Sequence, residues 1–123
     1  MKLRIKGNTI RLRLTKSEVG DFSSSFYVQE QTEFGQSIFS YSLKAVEQDF
    51  LSATLENNNL TIFIPKAKAQ AWTTTGIVGI SGEMEVGEGK KLYLLIEKDF
   101  KCLDETIADQ SDNYENPLAV KNK

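Results

Sequence analysis

The stretch K-L-R-I-K-G-N-T-I-R-L-R-L, residues 2–14, alternates basic and apolar side chains on both sides of a Gly-Asn pair at 7–8. Because successive side chains of a strand point to opposite faces, each arm has one apolar and one cationic face. Gly-Asn is a signal for a two-residue turn, so the stretch predicts an antiparallel hairpin. Pairing the arms about this turn brings their apolar faces together on one side.

The same register sets like charges opposite each other on the other side. It places Arg4 opposite Arg11 and Lys2 opposite Arg13, and facing like charges destabilise a strand pair. A negative group is therefore expected close by. The five cations that share this face are the candidate ligand-binding residues: Lys2, Arg4, Lys6, Arg11 and Arg13.

Three sources of negative charge stay open at this stage. Glutamates on neighbouring strands could neutralise the cations, and the candidates are Glu56, Glu83, Glu85 and Glu97. The acidic end of the chain could lie across them. A bound partner could also supply the charge, as an anionic small molecule or an acidic protein segment. The third source predicts a small non-enzymatic binding domain.

Composition excludes several classes of function. Six of the 15 basic residues and none of the 17 acidic residues fall within 1–16, so the rest of the chain is acidic. This balance, with no aromatic side chain among the N-terminal cations, argues against nucleic acid as a partner. Histidine is absent and Cys102 is the single cysteine, so no disulfide, thiolate metal cluster or Cys-His pair is expected within the chain. No apolar run has the length of a signal peptide or membrane span, which predicts a cytoplasmic protein without a membrane partner.

The remaining pattern predicts an α+β fold. Thr15 and Glu18 have the spacing of a capping box, and a second short helix is expected after Pro65. Alternation of apolar and polar residues marks the strands, among them a hairpin about Asn57-Asn58. Together they predict a mainly antiparallel, twisted sheet of about seven to eight strands with two short helices, free to curl toward a barrel. No internal repeat of solenoid period is visible.

The C-terminal part of the pattern sets the domain boundary. Tyr93 and Leu95, between the apolar residues of the last strand, indicate burial on both sides of that strand. Residues 99–103 are expected to close a single globular domain, 1–103, with Phe100 and Leu103. Residues 104–123 are acidic and poor in apolar side chains, which predicts a loosely ordered or disordered tail.

An enzymatic alternative rests on paired carboxylates. Glu83 and Glu85 lie two apart on one strand face, so they could hold a divalent metal ion while Arg11 and Arg13 hold a phosphate. That arrangement would serve a metal-assisted enzyme acting on phosphoesters or triphosphates. No catalytic residue, cofactor or metal ligand is assigned, because solvated strand acids show the same pattern.

Three segments carry a resemblance to a known family: K-L-R-I-K-G-N-T-I-R-L-R-L-T-K-S-E-V at the start, W-T-T-T-G-I-V-G-I at 72–80 and I-E-K-D-F-K-C-L at 96–103. The chain resembles a family of short, uncharacterised bacterial proteins, a domain of unknown function. The resemblance implies a compact domain and carries over no site residue. A more distant comparison is the triphosphate tunnel enzymes, which line a barrel with alternating Arg, Lys and Glu, but their E-x-E-x-K signature is absent here.

Overall fold

The computed structural model describes residues 1–99 of the chain. They confirm the α+β class, with eight strands and two short helices. The elements are β1 Lys2–Lys6, β2 Thr9–Leu14, α1 Lys16–Ser25, β3 Tyr27–Glu33, β4 Ile38–Val46, β5 Ser52–Glu56, β6 Asn59–Pro65, α2 Lys66–Thr74, β7 Gly79–Gly87 and β8 Lys90–Lys98. The predicted closing residues after Asp99 and the predicted acidic tail lie outside the described residues.

The strands divide between two sheets of four, in the orders β1-β2-β8-β7 and β3-β4-β6-β5, rather than forming one. In each sheet two antiparallel hairpins meet at a central parallel pair, β2 with β8 and β4 with β6. Neither sheet closes into a barrel. The two parallel strands of each sheet run in the same direction, so both hairpin turns of that sheet lie at the same end. The helices α1 and α2 follow β2 and β6 and lie at the opposite end.

The second half of the chain repeats the topology of the first. Adding 50 to the bounds of β1, β2 and α1 gives those of β5, β6 and α2 to within one residue, and the parallel registers match β4 to β8 with a shift of 53. Equivalent hydrogen bonds recur: the Tyr93 N–H donates to the Asn8 carbonyl at 2.9 Å, and the Ser40 N–H to the Asn58 carbonyl at 3.0 Å. Each sheet therefore combines one hairpin from each half. This structural repeat was not visible in the sequence, because the equivalent residues share patterning and not identity.

The two helices pack together at their end of the sheets. Thr15 and Glu18 form the predicted capping box, which orients α1 as it leaves β2. Phe22 of α1 and Trp72 of α2 are fully buried and meet edge to face, with ring centroids 6.1 Å apart. The Trp72 indole N–H donates to the Val78 carbonyl at 3.0 Å, so this aromatic pair links both helices to the start of β7.

Both predicted hairpin registers are confirmed. Leu55 faces Leu60 in the β5–β6 pair, and the two Asn residues of its turn have φ of 51° and 66°. This left-handed backbone at both central positions is the one that a type I′ turn requires. Within residues 1–99, no helix is both long and apolar enough to cross a membrane.

Candidate functional site

The five candidate cations lie together on the outer surface of the sheet β1-β2-β8-β7. Leu12 and Leu14 are fully buried between the two sheets, and this holds Arg11 and Arg13 on the opposite side of β2. The register pairs Lys2 with Arg13 and Arg4 with Arg11, as predicted. We call this surface the basic face and define it by its five cations: Lys2, Arg4, Lys6, Arg11 and Arg13.

Two carboxylates among residues 1–99 reach the basic face. Glu97 of β8 faces Arg13 in the parallel ladder, and its Oε1 lies 3.4 Å from Nε of Arg11 and 3.5 Å from Nε of Arg13. Asp99, just after β8, lies with its Oδ2 at 3.1 Å from Nζ of Lys2. Both arginine contacts are long for charge-assisted hydrogen bonds, and one carboxylate serves two guanidinium groups. Of the four glutamates considered from the sequence, Glu97 is the one that contacts the basic face.

Two cations of the basic face have no such neighbour among residues 1–99. Arg4 and Lys6 are both exposed, and within the part of the chain that the structure describes no carboxylate forms an ion pair with either of them. Among residues 1–99, the carboxylates that contact the basic face are therefore those of Glu97 and Asp99. The neutralisation expected from neighbouring strands is present but partial, so the described residues leave the basic face with an excess of positive charge.

The carboxylates of the enzymatic alternative lie elsewhere on the same sheet. Glu83 and Glu85 belong to β7, and β8 separates them from the arginines of β2 by two strand spacings, about 10 Å. Glu83 pairs with Lys91 at 2.8 Å. Hydrogen bonding to Glu83 raises the pKa of Lys91 above its ordinary value, and the carboxylate charge adds to this. Among residues 1–99, no three acidic, cysteine or histidine side chains come close enough together to hold a metal ion.

Beside the cations, β8 presents apolar side chains on the same outer surface. Tyr93 faces Thr9 and Leu95 faces Arg11 in the parallel ladder. Tyr93 is 48% exposed, so the predicted burial on both sides of this strand is wrong at that position. The outer surface of the sheet is uncovered there among the described residues. An aromatic ring thus borders the basic face, which the order of residues in the sequence did not reveal.

A second polar cluster, which sequence reasoning missed, surrounds the N-terminal amino group. This group contacts the carboxylates of Glu18 and Glu30, and the Tyr41 hydroxyl donates to the Met1 carbonyl at 3.1 Å. Burial alone would lower the pKa of the Met1 amino group, but the two glutamates raise it overall. Burial likewise opposes ionisation of Glu18, yet the amino group and the capping box lower its pKa. The capping-box pattern predicted that Glu18 lies at the start of α1, but nothing in the sequence predicted its contact with the Met1 amino group.

An apolar cleft of about 320 Å³ opens between the two sheets. Three pairs of equivalent residues from the two halves contribute to it, of which Ile5 with Leu55 and Ile10 with Leu60 are examples. Among residues 1–99, no charged side chain lines this cleft, and none of the five cations is part of its lining. The lining residues are Ile5, Ile10, Phe39, Ala53, Thr54, Leu55, Leu60, Met84, Val86 and Leu92.

Comparison with known proteins gives a family and no characterised relative. One family model matches the chain over residues 1–118, and its description is "Family of unknown function (DUF7009)". No curated protein and no solved structure matches the chain. The match extends past the described residues and covers most of the acidic segment that follows them. It confirms the resemblance to a family of unknown function that the sequence motifs indicated.

Proposed function

We propose that this chain, which belongs to the DUF7009 family of unknown function, is a non-enzymatic binding domain whose basic face binds an acidic segment of a partner protein. The observation that carries the proposal is that Arg4 and Lys6 are exposed side by side on β1 and form no ion pair with any carboxylate among residues 1–99. A cytoplasmic setting, as expected from the sequence, goes with this proposal.

Repulsion within the face favours the arrival of an anion. Arg4 and Arg11 are directly paired across β1–β2, and like charges in such positions cost a few tenths of a kcal/mol or more. The Glu97 carboxylate lies beside Arg11, whereas the exposed Arg4 has no carboxylate partner among the described residues. Arg4 therefore faces the positive charge of Arg11 with no nearby anion from this part of the chain. A bound carboxylate between them would remove this cost and add charge-assisted hydrogen bonds.

The shape of the face favours an extended segment over a small anion. Small ligands are held in concave sites where polar groups converge, whereas these cations stand on the outer surface of a sheet. Lys2, Arg4 and Lys6 alternate along β1, so neighbouring cations are spaced by about 6.6 Å. An extended chain with an acidic residue at every second position has the same repeat. Tyr93 and Leu95 add apolar contact surface beside the cations.

No contact among the described residues supports the alternative of a metal-assisted enzyme that acts on phosphoesters. Its two carboxylates and two arginines are separated by the width of β8, and Glu83 is already paired with Lys91. No observation brings a phosphate site and a metal site together. The contacts of the described residues therefore favour a binding domain over this enzyme.

The test compares two double variants with the same change in charge. R4Q/K6Q removes the two exposed cations of the basic face, and K44Q/K68Q removes two exposed cations elsewhere. Binding of a fluorescent peptide of alternating Glu and Ser is measured by anisotropy at 50 mM and 300 mM NaCl. We expect R4Q/K6Q to lose about tenfold in affinity at low salt, equivalent to about 1.4 kcal/mol for two exposed contacts, and K44Q/K68Q to match the wild type.

Two outcomes would overturn the proposal. Equal affinity of both variants would show that the peptide does not use the basic face. Tripolyphosphate that binds in an R4Q/K6Q-sensitive way, while the peptide fails to bind, would assign the face to a small anion instead of a protein segment. Thermal unfolding of both variants serves as the folding control, since none of the four residues is buried.

A further inference from the structure

We infer, resting on the proposed function, that the acidic segment which binds the basic face is β7 of a second copy of this chain. This β7 adds in parallel to the open edge of β1, so that the sheet continues from one copy into the next. The two edge strands of the sheet β1-β2-β8-β7 match each other in charge, in direction and in hydrogen-bonding pattern.

The two edge strands carry opposite charges on the same outer surface. β1 presents Arg4 and Lys6 there. β7 presents Glu83 and Glu85, and Glu83 faces the outward Tyr93 in the β7–β8 ladder. On both strands the two charges are two residues apart, about 6.6 Å. Among residues 1–99, no strand pairs with the outer edge of β1 or of β7.

Both glutamates of β7 are able to accept a cation from another copy. Glu85 is exposed and forms no ion pair within residues 1–99. Glu83 pairs with Lys91 at 2.8 Å, but both of these side chains are about half exposed, so the pair contributes little to stability. The Glu83 carboxylate therefore keeps room for a second donor.

The two edge strands run in the same direction. β1 is antiparallel to β2, β2 is parallel to β8, and β8 is antiparallel to β7. A second copy that is moved sideways, without being turned over, therefore brings its β7 alongside β1 as a parallel neighbour. The apolar sides of the strands also match, because Ile5 of β1 and Met84 of β7 both line the cleft between the sheets.

The backbone groups of β1 that face its open edge belong to Leu3 and Ile5. The two-residue turn closes between Lys6 and Thr9, which makes them a hydrogen-bonded pair, and such pairs alternate along an antiparallel ladder. The N–H and C=O groups of Leu3 and Ile5 therefore point away from β2.

The backbone groups of β7 that face its open edge belong to Glu83 and Glu85. The Lys98 N–H donates to the Val78 carbonyl at 2.9 Å just before β7 begins. The same alternation directs the backbone groups of the even-numbered residues of β7 toward β8. The N–H and C=O groups of Glu83 and Glu85 therefore point away from β8.

One register satisfies the backbone and the charges together. In a parallel ladder, the N–H and C=O of one residue bond to the two neighbours of the residue opposite it, as they do between β8 and β2. With Glu83 opposite Arg4, the Glu83 backbone meets the free groups on both sides of Arg4, and Glu85 stands opposite Lys6. Strands about 4.8 Å apart leave each carboxylate within reach of its cation. The bulge after Glu85 and the turn after Lys6 end the matched stretch at the same place.

Charge selects the contact between unlike edges. Two β1 edges placed antiparallel would set Arg4 against Arg4 and Lys2 against Lys6, and facing like charges repel. Two β7 edges would repel through their glutamates. Charged edges ordinarily keep sheets apart, but opposite charges on the two edges of one sheet favour a β1–β7 contact. This contact is head-to-tail, with an open β1 at one end of the assembly and an open β7 at the other.

The first measurement is a complementation test by sedimentation velocity of the full-length chain at 50 mM NaCl. R4Q/K6Q neutralises the β1 edge and leaves β7 intact, whereas E83Q/E85Q does the reverse. We expect the wild type to associate reversibly as its concentration rises to 1 mM, and each edge variant to associate about tenfold more weakly. An equimolar mixture of the two edge variants should recover the wild-type affinity and stop at the dimer, because it can form one intact β1–β7 contact.

Matched controls carry the same changes in net charge at exposed residues away from both edges of this sheet, namely K44Q/K68Q and E33Q/E47Q. Each control should associate as the wild type does. The concentration series of the wild type needs no substitution, so it tests the contact even if an edge variant folds poorly.

The second measurement tests the direction of the contact. An isotope-labelled wild-type chain is mixed with an unlabelled E88C/C102S chain that carries a nitroxide on the exposed turn after β7. A parallel contact places this turn beside the end of β1, so we expect loss of amide NMR intensity at Lys6 and Gly7 and less loss at Lys2. The effect should disappear in 1 M NaCl, where the screening length is about 3 Å.

The outcomes separate this inference from the proposed function. A wild type that stays monomeric at 1 mM, a mixture of edge variants that associates no better than its components, or intensity loss at Lys2 instead of Lys6 would overturn the inference. Binding of the acidic peptide and its loss in R4Q/K6Q would still support the proposed function in those cases. An acidic peptide that neither binds nor dissociates an assembly with the expected edge contact would refute the proposed function and leave the contact between copies in place.

Discussion

Replacement of Glu97 by Gln tests whether one carboxylate holds the basic face together. The substitution keeps the shape of the side chain and removes the charge that lies 3.4 Å from Nε of Arg11 and 3.5 Å from Nε of Arg13. Two opposite charges 4 Å apart attract by about 4 kcal/mol at an effective dielectric constant of about 20, before desolvation and side-chain entropy are subtracted. Exposed pairs retain about 0.2–1 kcal/mol after these costs.

The arginine side chains are 32% and 22% exposed, so each contact should lie near the upper end of that range. We therefore expect E97Q to lower the free energy of unfolding by about 1–2 kcal/mol at low salt. With a urea m value of about 1–3 kcal/mol/M, the unfolding midpoint should fall by roughly 1 M. Raising NaCl to 1 M should recover much of the loss, because the arginines then repel each other less.

The matched control is Glu83→Gln on the same sheet. Its pair with Lys91 is shorter, at 2.8 Å, but both side chains are about half exposed, so its loss should cost less than about 0.5 kcal/mol. A double-mutant cycle of E97Q with R11Q should give a favourable coupling energy. If E97Q and E83Q are equally stable at low salt, or if added salt does not rescue E97Q, the reasoning about a shared carboxylate is refuted.

Two further predictions concern pH and packing. The pKa of Glu18 in the folded protein is lowered from its ordinary value of 4.5 by the N-terminal amino group and the capping box. The Glu18 carboxylate therefore contributes its full stabilisation above pH 4.5 and loses it as the pH falls through the pKa of the folded state. In that range, the Tm of the wild type should drop more steeply than the Tm of E18Q. Parallel acid profiles of the two proteins would contradict this. Gly82→Ala should cost about 1 kcal/mol or more, because the new Cβ would lie 3.0 Å from Leu51 Cδ1 and 3.3 Å from its Cβ. Gly20→Ala, in α1 with open space around it, should instead stabilise by about 0.5–1 kcal/mol, and urea unfolding that ranks the two glycine variants in the reverse order would refute the packing argument.

The sequence predicted hairpin registers, a helix cap and a turn correctly, because in each of them both interacting residues belong to one short segment. The hairpin of residues 2–14 was paired residue by residue, because a two-residue turn leaves one register that puts the apolar side chains together. The capping box of α1 and the turn at Asn57-Asn58 were predicted for the same reason. In each case the interacting residues lie within about ten positions of one another.

The candidate site was predicted in part. All five cations fall on one surface, as the alternation required, but four glutamates were equally eligible to neutralise them. Glu97 contacts Arg11 and Arg13 because β8 pairs with β2 in parallel across more than 80 positions of sequence. The alternation of apolar and polar residues predicts which side chains of a strand point into the core, but it does not predict which strand pairs with it. The outward exposure of Tyr93 depended on the same unknown neighbour.

Hydrophobic period, turn chemistry and helix capping act between residues that are close in the chain, so the strands and helices, the hairpin registers and the crowding of positive charge on β1 and β2 could be predicted from the order of residues. Contacts between distant segments could not be predicted in this way. They include the exchange of hairpins between the two equivalent halves, the contacts of Glu97 and Asp99 with the cations, and those of Glu18 and Glu30 with the N-terminal amino group. The cause is that burial of apolar area is non-directional and does not select one strand partner over another. Packing of the whole core, which includes Phe22 and Trp72, therefore selects the strand partners. No short stretch of the sequence contains the residues that produce this packing.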